Sequence, residues 1–383
     1  MKIAYIFDQV LPDTAADNEQ VMHTVSALSH LPDVEVTLFL PARNGETNAD
    51  ATALRAFYHV DGNFSVERFH SIFPANRIAE KLAHPLICAR YRRILKKFDV
   101  IYCRNIPVVW MALMLKIPVV FDTYRPWPEQ YPILNGMFKA FFSNPLFLGM
   151  TLHSDYSRQR YLKLGVPEEK TCTAYNGFDQ KEYEPELTKA EARRQCGLPV
   201  EGKIVMYSGR MEMRKGLADV FALAQARPDV TFVFIGSTGQ GEAETIASRL
   251  DNCIMLGWMK YGALSPYLYA ADVLIIPPTV KPLKKVGNTV LPIKLYAYFG
   301  AGRAIFAPKA PDTAELLKHD HNAWLVEPDD PQAALDGFNQ LIDNDELLNK
   351  ISMQAHEDAQ KLTWDARAKK VASFMKERLA SLH

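Results

Sequence analysis

Residues 207 to 216 read Tyr-Ser-Gly-Arg-Met-Glu-Met-Arg-Lys-Gly and directly follow an apolar run at residues 204 to 206. This pattern predicts a short buried strand that ends near Gly209, with a helix beginning just after the segment. Parallel α/β sheets bind their ligands at the carboxyl ends of the strands. Arg210 and Lys215 would place two fixed cations there, beside a positive helix N-terminus, an arrangement that suits a diphosphate. On this segment alone, a basic loop with solvated charges is the alternative.

Apolar runs of strand length alternate with helical patterns along the whole chain. The first half has predicted strands at 3–7, 34–40, 100–103, 119–122, 150–153 and 171–174. The second half has predicted strands at 204–208, 231–236, 254–256, 273–276, 304–306 and 323–326. Strands that are apolar throughout and separated by helices predict parallel sheets covered on both faces. Two successive sets of such units predict an α/β protein with two doubly wound domains.

The break between the two sets lies near residues 178 to 202, which are rich in charge and have little strand pattern. We therefore predict an N-terminal Rossmann-like domain over residues 1–180, which binds the acceptor, and a C-terminal Rossmann-like domain over 190–363, which binds the donor. The last helix, about 364–383, is expected to pack back on the first domain. The ligand is expected in a cleft between the domains, where both sheets point their carboxyl ends.

Bulk composition excludes several classes of protein. Among 383 residues, 44 Lys and Arg balance 44 Asp and Glu, which argues against a nucleic-acid binder that depends on a global positive field. The five cysteines are scattered and have no zinc-ligand spacing, as expected for reduced thiols in a cytoplasmic protein. The N-terminal apolar run is too short for a signal peptide. No stretch approaches the ~18 uninterrupted apolar residues of a transmembrane helix.

Six segments of the chain, in this order and spacing, resemble the large retaining glycosyltransferase family four (glycosyl transferases group 1), which has the GT-B fold. They are residues 175–179, 208–216, 233–239, 255–258, 267–277 and 291–302. In the first half the resemblance is limited to the strand–helix rhythm and to residues 121–129, Phe-Asp-Thr-Tyr-Arg-Pro-Trp-Pro-Glu. It implies two Rossmann-like domains facing a central cleft. It also implies transfer of a sugar from a nucleotide-diphosphate sugar, with retention of the anomeric configuration.

The resemblance assigns the donor diphosphate to Arg210 and Lys215, beside Gly209. Negative charge grows on the leaving oxygens when the sugar–diphosphate bond breaks, and fixed cations stabilise it at little reorganisation cost. We therefore expect Arg210 and Lys215 to be catalytic, with no metal and no cofactor needed. Gly257 and Trp258 match the turn whose backbone contacts the nucleotide base. The alternative for Trp258 is a packed aromatic between the domains.

The loop before a helix predicted to begin near residue 292 is the other donor-side element. Asn288, Thr289, Val290 and Leu291 would direct free backbone N–H groups towards the phosphates and the sugar.

One departure from the family lies in this region. The family usually carries two glutamates eight positions apart, where this chain has Thr289 and Ala297. Either another residue holds the ribose, the nucleotide binds weakly, or catalysis has been lost. Lys294, one turn before Ala297, is a further donor-side candidate. A solvated surface lysine is the alternative for Lys294.

The first domain supplies the acceptor-side candidates. The loop after the first strand lacks the Gly-Gly pair of many family members, which leaves Asp13, Asp17 and His23 as polar candidates. A structural histidine is the alternative for His23. Asp122, at a strand end, is expected to contact the acceptor or accept its proton, and Arg125 is expected to be an acceptor-side cation. A local turn cap is the alternative for Asp122.

Residues 77 to 97 combine Arg and Lys with interleaved apolar residues. A basic amphipathic helix of this kind can lie on an anionic membrane, and the apolar residues 137 to 142 could lie beside it. The alternative is an ordinary helix that packs on the first sheet and exposes a solvated basic face. The first interpretation predicts weak peripheral binding to the inner face of a membrane.

The sequence thus favours a cytoplasmic glycosyltransferase of the hexosyltransferase type. Its partners would be a nucleotide sugar and a sugar, glycan or lipid-linked acceptor, and not nucleic acid. A second hypothesis is a degenerate GT-B protein that binds a partner or a nucleotide without catalysis, which Thr289 and Ala297 motivate. The retained Arg210 and Lys215 speak against it. A third is a sugar-nucleotide epimerase, for which no set of carboxylates or histidines is evident.

Overall fold

The computed structural model describes the chain except residues 14, 43–49, 71, 72, 74–76, 260, 283–290, 312 and 383, and the side chains of 16, 77, 80, 81 and 261. The chain divides into two compact units. One comprises Met1–Asn176 with Trp364–His383, and the other comprises Gly177–Thr363. Residues 177–180, which the prediction assigns to the first domain, and residues 181–189, which it leaves unassigned, belong to the second unit. There the Tyr183 hydroxyl donates to the Ala297 carbonyl over 2.9 Å.

The first unit is built on a parallel sheet with the strand order β3-β2-β1-β4-β5-β6-β7. Its strands are β1 (Lys2–Ile6), β2 (Glu35–Pro41), β3 (Ser65–Phe69), β4 (Val100–Cys103), β5 (Val119–Thr123), β6 (Phe147–Leu152) and β7 (Thr171–Thr173). Strand β3 is absent from the sequence prediction. It lies at the edge of the sheet and alternates exposed with more buried residues, so it lacks the continuous apolar run that marks the inner strands.

Helices cover both faces of this sheet. They are α1 (Ala16–Ser29), α2 (Ala51–Tyr58), α3 (Arg77–Arg90), α4 (Arg92–Leu95), α5 (Ile106–Met114), α6 (Trp127–Gln130), α7 (Asn135–Ser143), α8 (Asp155–Leu164) and, from the C-terminus, α16 (Trp364–Ala380). One core cluster joins the sheet to α1, α2 and α16. A second cluster joins the opposite face to α3, α5, α7 and α8. The unit is therefore a doubly wound layer structure.

The second unit repeats this plan with the strand order β10-β9-β8-β11-β12-β13. Its strands are β8 (Lys203–Ser208), β9 (Val230–Ser237), β10 (Cys253–Gly257), β11 (Val273–Ile275), β12 (Ala304–Pro308) and β13 (Trp324–Val326). Its helices are α9 (Lys189–Cys196), α10 (Leu217–Ala226), α11 (Glu242–Ala247), α12 (Tyr261–Ala270), α13 (Ile293–Ala301), α14 (Pro331–Ile342) and α15 (Asp345–Ala359). The predicted α/β class with two doubly wound parallel sheets is confirmed.

The strand order of each sheet predicts which of its edges binds a ligand. The order reverses beside β1 in the first sheet and beside β8 in the second, and doubly wound sheets bind ligands at the carboxyl ends of such strands. The residues after β8 and β11, and those after β1, β4, β5 and β6, therefore form the candidate sites of their own units. The predicted cleft between the units stays a prediction.

Candidate functional site

The backbone turns sharply where β8 ends. Gly209 has φ +133°, a conformation that glycine adopts far more readily than other residues, and its N–H donates to the Ile235 carbonyl over 2.9 Å. A Cβ atom at Gly209 would lie 3.0 Å from the Lys294 amine. The absence of a side chain therefore allows Lys294 to approach the backbone at the carboxyl end of β8.

Arg210 and Lys215 follow this turn and are both exposed. Lys215 ends a short 3₁₀ helix, Met213–Lys215, and neither cation forms an ion pair with any described residue. Their neighbour Arg214 differs, because it pairs with Glu212 at 2.7 Å.

The helix α10 begins directly after the two cations. Gly216 precedes it with φ +84°, and a Cβ there would collide with the Thr279 methyl group. Glycine therefore fixes the point at which α10 begins, and the two cations remain available to an anion at the helix N-terminus.

Lys294 lies in the first turn of α13 and is mostly buried. Its amine lies 3.7 Å from the centroid of the Tyr207 ring, a cation–π geometry. Burial, with a smaller contribution from the charge of Lys215, holds the pKa of Lys294 well below its usual range. The interpretation of Lys294 as a solvated surface lysine is therefore wrong, and its amine lies beside the Gly209 turn.

Only part of the predicted loop before α13 can be placed. Asn288, Thr289 and Val290 lie outside the described residues, whereas Leu291 is buried. The helix begins at Ile293, after Pro292. The predicted contacts of the loop with phosphates therefore stay a prediction.

The helix α13 is tied to the same edge of the sheet by Tyr298. The Tyr298 hydroxyl accepts a hydrogen bond from the Ser208 N–H at 3.0 Å and donates to the Ile275 carbonyl at 3.2 Å. Ala297, which stands where the family usually has a glutamate, is buried. The carboxyl ends of β8 and β11 are thus held against α13.

Gly257 and Trp258 lie at the carboxyl end of β10. The pairing of β10 with β9 shifts between Leu256 and Gly257, and the Trp258 side chain is exposed. No described atom lies within 4 Å of a Cβ built at Gly257. This edge is open within its own unit, which is compatible with the predicted contact to a base.

The first unit has a buried ionic network at the carboxyl edge of its sheet. Asp122, at 2% exposure, accepts hydrogen bonds from Thr151 at 2.7 Å and Arg367 at 2.9 Å. The His153 Nε2 atom lies 3.0 Å from the same carboxylate oxygen, and the Arg104 Nε atom lies 3.3 Å from the other. Burial opposes the charged form of Asp122, but these partners outweigh it and hold its pKa well below the usual range.

Both oxygens of Asp122 are therefore engaged by side chains from other elements. The structure supports neither the predicted contact of Asp122 with an acceptor nor the alternative of a local turn cap. Burial lowers the pKa of His153 to about 4, so its ring is neutral near pH 7. Its Nε2 lies between the Asp122 carboxylate, which can only accept, and Arg367 Nη2 at 3.2 Å, which can only donate.

Sequence reasoning missed Arg104, His153 and Arg367. Arg104 follows β4 and His153 follows β6, on either side of Asp122 at the end of β5. That shared position could have linked them, because neighbouring parallel strands end at one edge. Arg367 comes from α16 and carries no such signal.

Two other acceptor-side candidates, Asp13 and Asp17, lie in the first unit, one before α1 and one in its first turn. Asp13 Oδ1 accepts from the Ala15 N–H at 2.9 Å, and Asp17 Oδ2 accepts from Gln9 Nε2 at 2.6 Å. Both aspartates are half-buried. The loop after β1 is thus ordered by its own polar side chains.

Arg125 follows β5 and is also half-buried. Its guanidinium carbon lies 5.2 Å from the centroid of the Tyr124 ring and 5.6 Å from that of the Trp127 ring. Its Nε donates to the Tyr124 hydroxyl at 3.2 Å. Aromatic rings therefore orient this cation at the edge of the sheet.

His23 lies elsewhere and has a structural role. Its ring stacks on that of Trp364, with centroids 5.3 Å apart and an angle of 7° between the planes. Burial, with a smaller contribution from His59, lowers the pKa of His23 to about 4. The predicted acceptor-side role is wrong, because α16 covers this side chain.

The His23→Phe variant is expected to be less sensitive to acid than the wild type. The folded-state pKa of about 4 is below the unfolded value near 6.5, so protons bind the unfolded state preferentially and stability falls as pH falls through this window. Between pH 7 and pH 5 the variant should lose about 2 kcal/mol less unfolding free energy than the wild type. Urea unfolding at the two pH values measures this, and equal losses would contradict the burial of His23.

Within the described residues, no group of three His, Cys, Asp or Glu side chains is arranged to hold a metal ion. The expectation that neither a metal nor a cofactor is needed stays a prediction.

The models of two protein families match the chain. "Glycosyl transferases group 1" matches residues 188–358, and "Glycosyltransferase Family 4" matches residues 19–182. An uncharacterized glycosyltransferase of Methanocaldococcus jannaschii is 24% identical over 225 residues, 55% of either chain. A D-inositol 3-phosphate glycosyltransferase of Thermobispora bispora is 24% identical over 237 residues, 57% of this chain and 53% of the relative. The chain thus spans about half the length of the curated relatives it matches.

Solved structures resemble the chain over almost all of its length. Anabaena HepE in complex with UDP has a TM-score of 0.73 at 20% identity and covers 98% of this chain and 100% of its own. Sucrose-phosphate synthase from Thermosynechococcus elongatus has a TM-score of 0.73 at 16% identity and covers 99% of this chain and 98% of its own. At such low identity these likenesses concern the fold. By its two matching family descriptions and its pair of doubly wound sheets, the chain belongs to the group 1 glycosyltransferases and has the GT-B fold.

Proposed function

We propose that the protein transfers a hexose or a related sugar from a nucleotide-diphosphate sugar to a hydroxyl group, with retention. The acceptor would be a glycan, a lipid-linked sugar or a small molecule. The observation that carries this proposal is the segment from Gly209 to Gly216. It presents Arg210 and Lys215 at the carboxyl end of β8, directly before α10 and without ion-pair partners among the described residues.

The chemistry follows from the charges. Breaking the bond between the sugar and the diphosphate leaves negative charge on the leaving oxygens. The guanidinium of Arg210 offers a planar fork to these oxygens, while the ammonium of Lys215 acts as a point charge. Both cations lie on one short segment between β8 and α10, so both can stabilise the charge as it develops.

The acceptor's proton needs no strong side-chain base in this proposal. The leaving diphosphate oxygen takes that proton on the face of the sugar from which it departs, so the acceptor enters on the same face and the configuration is retained. No step requires a metal. In the first unit we assign Asp122 a positioning role, since it holds Arg104 and His153 at the sheet edge. Asp13, Asp17 and Arg125 remain the proposed acceptor-side groups.

Lys294 is expected to take up a proton when the diphosphate binds. In the free protein, burial and the charge of Lys215 depress its pKa, whereas a bound diphosphate stabilises the charged amine and raises that pKa. Calorimetry of UDP binding at pH 7.5 in two buffers of different ionisation heat should show uptake of up to about one proton. Lys294→Met should abolish the uptake. Uptake of the same size in Lys294→Met, or none in the wild type, would contradict this role.

Turnover separates the proposed enzyme from a binding protein. The wild type is incubated with a panel of uridine, guanosine, adenosine and thymidine diphosphate sugars, and the released nucleoside diphosphate is quantified. We expect release from one class of donor, accelerated by a suitable acceptor, and NMR of the product then reports the anomeric configuration. Ala297 favours the second candidate, a GT-B protein that binds nucleotide without catalysis. Tight binding with no release from any donor would support that candidate.

A further inference from the structure

The outer side of α5 is apolar. The sequence of this helix, Ile-Pro-Val-Val-Trp-Met-Ala-Leu-Met, contains no charged or hydrogen-bonding side chain except the indole N–H. Its exposed positions are Pro107, Trp110 and Met114, and Met114 is 79% exposed. A surface helix of a globular protein normally directs polar side chains outward. The outer side of α5 is therefore unusual.

The neighbouring helix α3 continues this surface. Leu82 and Leu86 are 73% and 70% exposed, and Ile78 is exposed one turn earlier. Residues four apart lie on one side of a helix, so the three form a stripe. Because α3 packs against α5 on the same face of the sheet, the stripe and the outer side of α5 make one surface. We call this surface the α3–α5 face and define it by Ile78, Leu82, Leu86, Trp110 and Met114.

The segment of sequence that contains α3 and α5 is rich in positive charge. Residues 77–118 contain nine Lys or Arg and only two Asp or Glu, in a chain with zero formal net charge. None of the exposed basic residues in this region forms an ion pair with a described residue; they are Arg90, Arg92, Arg93, Lys96, Lys97 and Lys116. The combination of an apolar surface and unpaired cations is complementary to an anionic lipid surface.

We propose that the α3–α5 face binds peripherally to an anionic lipid bilayer. The apolar side chains would enter the boundary between headgroups and acyl chains, and the surrounding Lys and Arg would meet the lipid phosphates. Trp110 has the amphipathic ring that suits this boundary. Contact between two copies through this face is disfavoured, because an isologous dimer would bring the same positive region of each copy together. This inference goes beyond the proposed function and does not depend on it.

The described part of the chain contains no helix with the length and hydropathy needed to cross a bilayer. The proposed contact therefore involves the surface of α3 and α5 and not a spanning segment.

Vesicle sedimentation tests the proposal with the full-length chain. Vesicles of phosphatidylcholine with equal phosphatidylglycerol are compared with vesicles of phosphatidylcholine alone. We expect the protein to sediment with the anionic vesicles at low salt and to be released as salt is raised, because screening weakens the attraction of exposed charges. Sedimentation with neither vesicle, or equally with both, would overturn the proposal.

The apolar contribution is tested by Leu82→Ser with Met114→Ser. Both side chains are well exposed, so the double variant should keep its thermal stability while its partitioning to anionic vesicles falls by about tenfold. Met353→Ser is the matched control, since Met353 is 70% exposed in the second unit. Equal sedimentation of the double variant and the control would overturn the proposal. So would a wild-type dimer that these substitutions dissociate, if the vesicles bind no protein.

The electrostatic contribution is tested by Arg92→Gln with Arg93→Gln. Loss of these two cations should weaken sedimentation and reduce its dependence on salt. Lys369→Gln with Lys370→Gln removes two exposed cations from α16, on the opposite face of the same sheet, and should leave sedimentation unchanged. The same loss in both pairs would indicate a response to net charge alone and would overturn the assignment to the α3–α5 face.

Discussion

Replacing Lys215 by alanine is expected to lower kcat/KM for donor turnover by about a hundred- to a thousandfold, as the loss of one group that stabilises developing charge does in other enzymes. The same expectation holds for Arg210→Ala. Both side chains are exposed, at the carboxyl end of β8 and before α10. Their loss should therefore leave the fold intact, and the leaving diphosphate would keep more uncompensated charge in the transition state. Release of nucleoside diphosphate measures the effect.

Arg214→Ala is the matched control for these variants. Arg214 is adjacent to Lys215, carries the same charge and is likewise exposed, but it pairs with Glu212 at 2.7 Å. We expect Arg214→Ala to retain most of the wild-type kcat/KM. Full turnover by Lys215→Ala would contradict the role assigned to the two cations. An equal loss of kcat/KM in Arg214→Ala would show that any positive charge in this segment has the same effect.

The second large effect is expected from Asp122→Asn, which should lower the unfolding free energy by about 3–5 kcal/mol. The substitution removes the negative charge from a network that includes Arg104 and Arg367. Both guanidiniums would lose the buried carboxylate that they contact, and removing one member of a buried ionic network is strongly destabilising. Urea unfolding measures the loss.

Asp365→Asn is the control for this second prediction. Asp365 forms an exposed pair with His30 at 3.5 Å, and such a pair contributes below about 1 kcal/mol. A loss in Asp122→Asn no larger than that in the control would show that the network does not stabilise the first unit.

The inner strands of both sheets could be predicted because each is a continuous apolar run. Strand β8, for example, is predicted at 204–208 and found at Lys203–Ser208. The edge strand β3 was missed because its sequence, Ser-Val-Glu-Arg-Phe, has no continuous apolar run. Its position was fixed by pairing with β2, a tertiary interaction that no local pattern reveals.

The donor-side residues were more predictable than the acceptor-side residues, because they are close together in the sequence. Arg210 and Lys215 lie on one short segment between a strand and a helix. The local sequence pattern therefore predicts both the residues and their position at the edge of the sheet. The network of the first unit is assembled from Arg104, Asp122 and Arg367, which are distant in the sequence. Asp122 looked like a free carboxylate because its partners arrive only on folding.

For His23 and Lys294, the sequence did not reveal whether the side chain is buried or exposed. His23 was an acceptor-side candidate with a structural histidine as the alternative, and the structure agrees with the alternative because α16 places Trp364 over its ring. A solvated surface was an open alternative for Lys294, but the ring of Tyr207 and the missing side chain of Gly209 receive its amine. In both cases packing by a distant segment determined the environment of the side chain.

The most direct test of the donor-site assignment is a thermal-shift screen against UDP, GDP, ADP, TDP and CMP with their common sugar conjugates. It compares the wild type with Lys215→Ala and Arg214→Ala. A ligand at about 100 times its dissociation constant stabilises the folded state by ~2.7 kcal/mol, which is readily detected. We predict a selective shift with one nucleoside diphosphate, retained in Arg214→Ala and largely lost in Lys215→Ala. No shift with any nucleotide, or the same shift in Lys215→Ala as in the wild type, would contradict the donor site proposed here.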